Sequence, residues 1–217
     1  MLIFDLDGTL IDSKLDLANS VNAARAHLGL SPLNLGVISA CVGYGAPVLI
    51  RKAIGDEAGE SEIARALEFF LDYYSRHALD STSFYPGVRE SLARLHGSRK
   101  RLAILTNKPV AISRMIIEGL RAAELFFRVY GGDSFSAKKP DPAGIDQLVR
   151  EAGVARNATM MVGDSVVDVE TGRKAGVRVC AVRFGFASGT FDRQPPDLLV
   201  DRMEDLADWV LQSRSSF

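Results

Sequence analysis

Cysteine, histidine and tryptophan are scarce in this 217-residue chain: two Cys, three His and one Trp. Cys41 and Cys180 lie far apart and in no metal-like spacing, so a disulfide framework is not expected and both read as small buried hydrophobes. His27, His77 and His96 fall in or near helical segments, where none is placed as a catalytic base. Charge of one sign is lacking too. The formal net charge is −1, with lysine and arginine spread along the chain, which gives no reason to expect nucleic acid or an anionic membrane as partner. No apolar run approaches a membrane span, and Met1–Phe4 is too short for a signal peptide and has no basic start. A cytoplasmic protein is the expectation, and any affinity for an anion must be local.

What is present is a hydrophobic content of 47%, enough for a full core. Short apolar runs recur without alternation: Leu2-Ile3-Phe4 before Asp5, Leu102–Leu105 before Thr106, Met160-Met161-Val162 before Gly163-Asp164, and Val177–Val182. Such runs fit parallel strands buried on both faces. Helical patterns lie between them. Val88, Leu92 and Leu95 share a face that stops at Gly97, Pro109 opens a helix carrying Ile112, Met115 and Ile116, and Asp141-Pro142 reads as cap and first residue of another. Met203–Gln212 forms an amphipathic segment in which Trp209 serves packing. Alternating strands and helices predict an α/β, Rossmann-like, doubly wound parallel sheet.

One interval breaks the alternation. Residues 13–83 show helical patterns and no convincing strand: Leu17, Val21, Ala24 and Leu28 share one face, and Ile63, Leu67, Phe70 and Tyr74 another. The expectation is an all-helical cap domain over 13–83 inserted in a catalytic core formed by 1–12 and 84–217.

Chemistry concentrates where the predicted strands end. In Asp5-Leu6-Asp7-Gly8-Thr9, residues two apart on extended chain face the same way, so Asp5 and Asp7 can converge on one site at the carboxyl edge of the sheet. Two converging carboxylates repel unless a cation or proton separates them, and hard oxygen ligands favour magnesium. The same residues also read as an acidic turn. Asp164 can join that cage and Asp168 can orient it from outside, although Asp or Ser after a strand is also an ordinary helix cap. Thr106 and Asn107 can hold phosphate oxygens or cap a helix, and Lys139 places a cation before a helix start while Lys138 reads as solvated. Gly43-Tyr44-Gly45 offers a close backbone approach and a hydroxyl, or simply a turn between helices.

The order and spacing of these four clusters resemble the haloacid dehalogenase superfamily. That resemblance implies a magnesium-dependent phosphatase with Asp5 as nucleophile, Asp7 as general acid and base, Thr106 binding the phosphate, Lys139 stabilising it and Asp164 completing the metal site. Leu10-Ile11-Asp12-Ser13, Val42–Pro47 and Thr106-Asn107-Lys108-Pro109 look most like the phosphoglycolate phosphatase branch. The implied substrate is then a small phosphorylated metabolite, 2-phosphoglycolate first, with Gly43 and Tyr44 of the insert as its contacts. Val166 and Val167 stand where that branch usually has polar residues. Rival readings are a phosphomutase, a pyrophosphatase and a non-catalytic module binding a phosphorylated ligand. The phosphomutase branch tends to be acidic where Gly163 stands.

Overall fold

A computed structural model describes residues 1–55, 57–186, 191 and 194–213. The central sheet has six parallel strands in the order β5-β4-β1-β6-β7-β8. These are β1 (Leu2–Phe4), β4 (Leu102–Leu105), β5 (Arg128–Tyr130), β6 (Met160–Gly163), β7 (Arg178–Val182) and β8 (Leu198–Val200). Side chains alternate across a strand, and the apolar runs use both directions. Leu2 and Phe4 pack with Leu92, Leu95, Met203 and Leu206 on one face, whereas Ile3 packs with Ala103, Met161, Ile145 and Leu148 on the other. Each of these large side chains contributes about 1.5–3 kcal/mol by leaving water, which is why the runs carry no polar position.

The helices that cover those faces are α5 (Val88–Gly97), α6 (Val110–Gly119), α7 (Ala143–Ala152), α8 (Val166–Ala175) and α9 (Met203–Gln212). Two local details differ from the sequence pattern. α7 starts at Ala143, one residue later than the Asp141-Pro142 dipeptide suggests, yet Asp141 Oδ1 accepts from Ala143 N at 2.9 Å, the bond expected of a cap. Strands β5 and β8 did not stand out in the sequence, because three residues are too few to establish a period.

The interval between the first strand and Pro86 holds α1 (Lys14–His27), α2 (Leu35–Ser39), α3 (Ala46–Ile54) and α4 (Glu60–His77). α1 packs on α4 and on α2, and α3 packs on α4. The passage into and out of these helices is not coil. Strand β2 (Ile11–Asp12) pairs antiparallel with β3 (Ser83–Phe84), Ile11 opposite Phe84, so the expected strand-free stretch ends in a two-residue strand at Ser83. Buried Asp16 ties the same junction: its Oδ2 accepts from Ser81 N at 3.0 Å, Thr82 N at 2.8 Å and Thr82 Oγ1 at 2.7 Å. Cys180 is buried as expected, while Cys41 is only half-buried, its thiol pointing to Val37 O at 3.3 Å. No helix among the described residues is long and apolar enough to cross a membrane.

Candidate active site

Parallel pairing brings the ends of β1, β4 and β6 side by side, because Phe4 is in register with both Ile104 and Val162. The residues that follow these strands, Asp5, Thr106 and Asp164, are therefore neighbours at one sheet edge, and all three are buried. Carboxylate oxygens of Asp5, Asp164 and Asp168 lie within 4.8 Å of one another. Asp168 belongs to α8, where it forms a capping box with Ser165, accepting from Ser165 Oγ at 2.6 Å.

Lys139 lies inside this acidic cluster. Its Nζ is 2.6 Å from Asp168 Oδ1 and 2.9 Å from Asp5 Oδ1. Asp5 Oδ1 is buried, and Lys139 meets it as an ion pair. Burial, reinforced by Asp168 and opposed by Lys139, leaves the Asp5 carboxyl raised to about 6. Burial works against the charge on Lys139 as well, but Asp168 and Asp5 outweigh it and hold the ammonium above its ordinary range.

Asp7 is held by a different cation. Lys108 Nζ donates to Asp7 Oδ1 at 2.7 Å and Oδ2 at 2.9 Å, and to Tyr74 Oη at 2.7 Å. The Ser13 hydroxyl also donates to Asp7 Oδ1. Lys108 is buried; burial opposes its charge, yet Asp7 and Tyr74 carry its pKa above the ordinary lysine value. Sequence reading assigned Lys108 no role. The signal available was its place two residues past Thr106, beside a residue expected to face phosphate.

Of the expected substrate contacts, Asn107 and Gly43 line the cleft and Tyr44 does not. Asn107 spends its amide on the protein: Nδ2 donates to Gly43 O at 2.9 Å and Lys139 O at 3.0 Å, while Oδ1 accepts from Lys139 N at 2.9 Å. It ties the loop before α3 to the loop carrying Lys139. Tyr44 is 49% exposed and does not line the cleft; Lys52 Nζ sits 5.6 Å from its ring centroid. Gly45 lines the cleft as well.

Space at the site is tight. A Cβ on Gly8, which has φ +79°, would meet Asp164 Oδ2 at 2.3 Å, and one on Gly163 would meet Asp168 Cγ at 2.2 Å. Asp164 Oδ2 accepts from Phe186 N at 2.7 Å. Val166, the first residue of α8, is half-buried and Val167 buried, and neither lines the cleft.

The donor set fits a hard divalent cation. Four carboxylates (Asp5, Asp7, Asp164, Asp168) face two ammonium groups (Lys108, Lys139), a formal excess of two negative charges in a buried place. Asp5 Oδ1 has ligating capacity left, and all offered atoms are oxygen. Beyond the carboxylates the cleft encloses about 660 Å³, its open mouth included, and its wall is mainly apolar, with Leu17, Leu49, Phe70, Ile112 and Phe186.

An open parallel α/β sheet with an aspartate pair after its first strand, and acidic and hydroxyl residues after two neighbouring strands, defines a class of hydrolase. Residues 2–182 match the model of the haloacid dehalogenase-like hydrolase family, and the chain belongs to that family. Among its relatives is the phosphoglycolate phosphatase of Chromobacterium violaceum, 38% identical over 209 residues, covering 94% of this chain and 93% of the relative. The phosphoglycolate phosphatase of Pseudomonas syringae pv. tomato is 36% identical over 211 residues, covering 95% and 78%. A crystal structure of a predicted phosphoglycolate phosphatase from Haemophilus somnus superposes with a TM-score of 0.92 at 29% identity, covering 97% of each chain.

Proposed function

We propose that this chain is a magnesium-dependent phosphatase that hydrolyses a small phosphate monoester, 2-phosphoglycolate first among candidates, through an aspartyl-phosphate on Asp5. The single observation that carries the reading is the buried cluster in which Asp5 is ion-paired with Lys139 and has a carboxylate oxygen within 4.8 Å of those of Asp164 and Asp168. Asp5, Asp164 and the backbone carbonyl of Asp7 would hold the ion. Once bound, it supplies positive charge for the phosphoryl oxygens, so that an anionic nucleophile can approach an anionic ester.

The chain's own groups do the rest. An Asp5 oxygen forms a bond to phosphorus as the ester P–O bond breaks, and Asp7 gives its proton to the leaving oxygen. Asp7 then takes a proton from water, the water oxygen attacks phosphorus, and the Asp5–phosphorus bond breaks to release phosphate. Lys108 and Ser13 both donate to Asp7 and hold its carboxyl in place at the cleft. Thr106 lines the cleft beside Asp5, with its hydroxyl near Lys108 N at 3.3 Å, and holds a phosphoryl oxygen. Lys139 neutralises charge from below. Helices α1–α4, residues 13–83, act as the cap that closes the cleft and excludes water.

The lack of room for any side chain at Gly163 supports hydrolysis over mutase chemistry, since an acidic residue there would displace Asp168 and release Lys139. The experiment is a panel of small phosphate esters and pyrophosphate offered to the purified enzyme with magnesium, with kcat/KM as readout. Highest kcat/KM on 2-phosphoglycolate is expected. Preference for pyrophosphate or large phosphopeptides rejects the substrate assignment, and no turnover of any ester rejects the phosphatase.

A further inference from the structure

The apolar wall of the cleft raises a question of charge. A small ester that carries a carboxylate on its leaving group brings a second anion, which has no place against Leu17, Leu49, Phe70 or Ile112. Among the described residues lining the cleft, Lys108 carries the one basic side chain. It is flanked by Tyr74, a buried residue of α4 that also lines the cleft. Tyr74 Oη accepts from Lys108, and its own O–H proton has no acceptor among the described residues. An ammonium and a phenolic O–H side by side form a donor pair suited to one carboxylate.

We propose that Lys108 and Tyr74 together select for esters with a carboxylate on the leaving group. The inference rests on the phosphatase reading and deepens it by assigning the specificity-determining residues. Lys108 Nζ now spans both oxygens of Asp7, at 2.7 Å and 2.9 Å. An entering carboxylate replaces one of these oxygens as acceptor and takes the hydrogen bond of Tyr74. The Asp7 oxygen so released is free to face the leaving oxygen. Because Tyr74 comes from the helical insert and Lys108 from the loop after β4, the clamp is complete only when insert and sheet edge are together. A substrate lacking the carboxylate gains neither contact and leaves Lys108 on Asp7.

The test compares 2-phosphoglycolate with 2-hydroxyethyl phosphate, of similar size and without the carboxylate, and with an aryl phosphate as a general substrate. For wild type, the ratio of kcat/KM between the first two is expected to exceed ~100, since sites that pair a buried polar group reject analogues lacking its partner strongly. Tyr74→Phe, which removes only the hydroxyl, should lower that ratio about 10-fold or more, mostly through KM, as for one hydrogen bond to a charged group. Lys108→Met should bring the ratio to within about 3, even as absolute rates fall through its contact with Asp7. Circular dichroism of each variant confirms folding, and Tyr74→Phe keeps the test open should Lys108→Met fail to fold. An equal loss on both esters in Tyr74→Phe, or an unchanged ratio in both variants, assigns the pair to support of Asp7 alone and overturns the inference while the phosphatase stands. No hydrolysis of any of the three esters by wild type overturns both.

Discussion

At the scale of the residue, the site is a charge problem with four carboxylates and two lysines in a small buried volume. Replacing Asp5 with Asn should reduce phosphatase activity at least ~1000-fold, since the group that bonds to phosphorus is lost. Its removal relieves a crowded set of like charges, so the metal-free variant should unfold in urea no earlier than wild type. A folded variant that still turns over an aryl phosphate at near the normal rate would remove Asp5 from the nucleophile role. Gly163 is constrained by volume, not by its backbone angle. Adding a methyl group there forces Asp168 aside, and Gly163→Ala should cost about 1–3 kcal/mol in urea denaturation, as overpacking of a filled site does. Wild-type stability together with wild-type activity would mean that Asp168 moves freely, against its two bonds to Ser165 and Lys139.

At the scale of the element, the junction of the helical insert is a two-stranded ribbon fastened by a carboxylate. Asp16 Oδ2 serves three donors of the returning chain, two of them backbone N–H groups. Asp16→Ala leaves those donors partly buried and unpaired, at an expected cost of about 2–4 kcal/mol in chemical denaturation. A loss below about 0.5 kcal/mol would show that water replaces the carboxylate. The ribbon itself was not legible beforehand: two-residue strands show no period, and their pairing joins Ile11 to Phe84 across the whole insert. The strands β1, β4 and β6 were legible because a strand buried on both faces leaves a contiguous apolar run, a purely local signal.

For the whole molecule, ion binding and folding are linked, because the ligands come together only when β1 and β6 pair. Magnesium should therefore raise the Tm, and at 100 times its Kd should add about 2.7 kcal/mol to stability. Chelator should abolish both this gain and activity, and Asp164→Ala should lose most of the gain. A Tm indifferent to magnesium in wild type would dissociate the carboxylate cluster from the ion.

The sequence by itself determined four of the six strands of the sheet, the helices between the first strand and Pro86, and the acidic residues at the strand ends, since apolar runs and the Asp5-to-Thr9 motif are contiguous in the chain. It also pointed to Lys139 among loop lysines, although only through the order of the clusters. Tertiary structure alone decided which cation faces Asp7. Lys108 is a loop lysine marked only by its place two residues past Thr106, and it is buried by contacts with Tyr74, 34 positions away, and Asp7, 101 positions away. The same holds for Asn107, whose amide joins Gly43 to Lys139, and for Tyr44, which turns outward to Lys52 between glycines at φ +121° and +89°. Periodicity reports which face of an element is buried. Which partner a buried polar group meets depends on segments brought together from distant parts of the chain, and no local pattern encodes that.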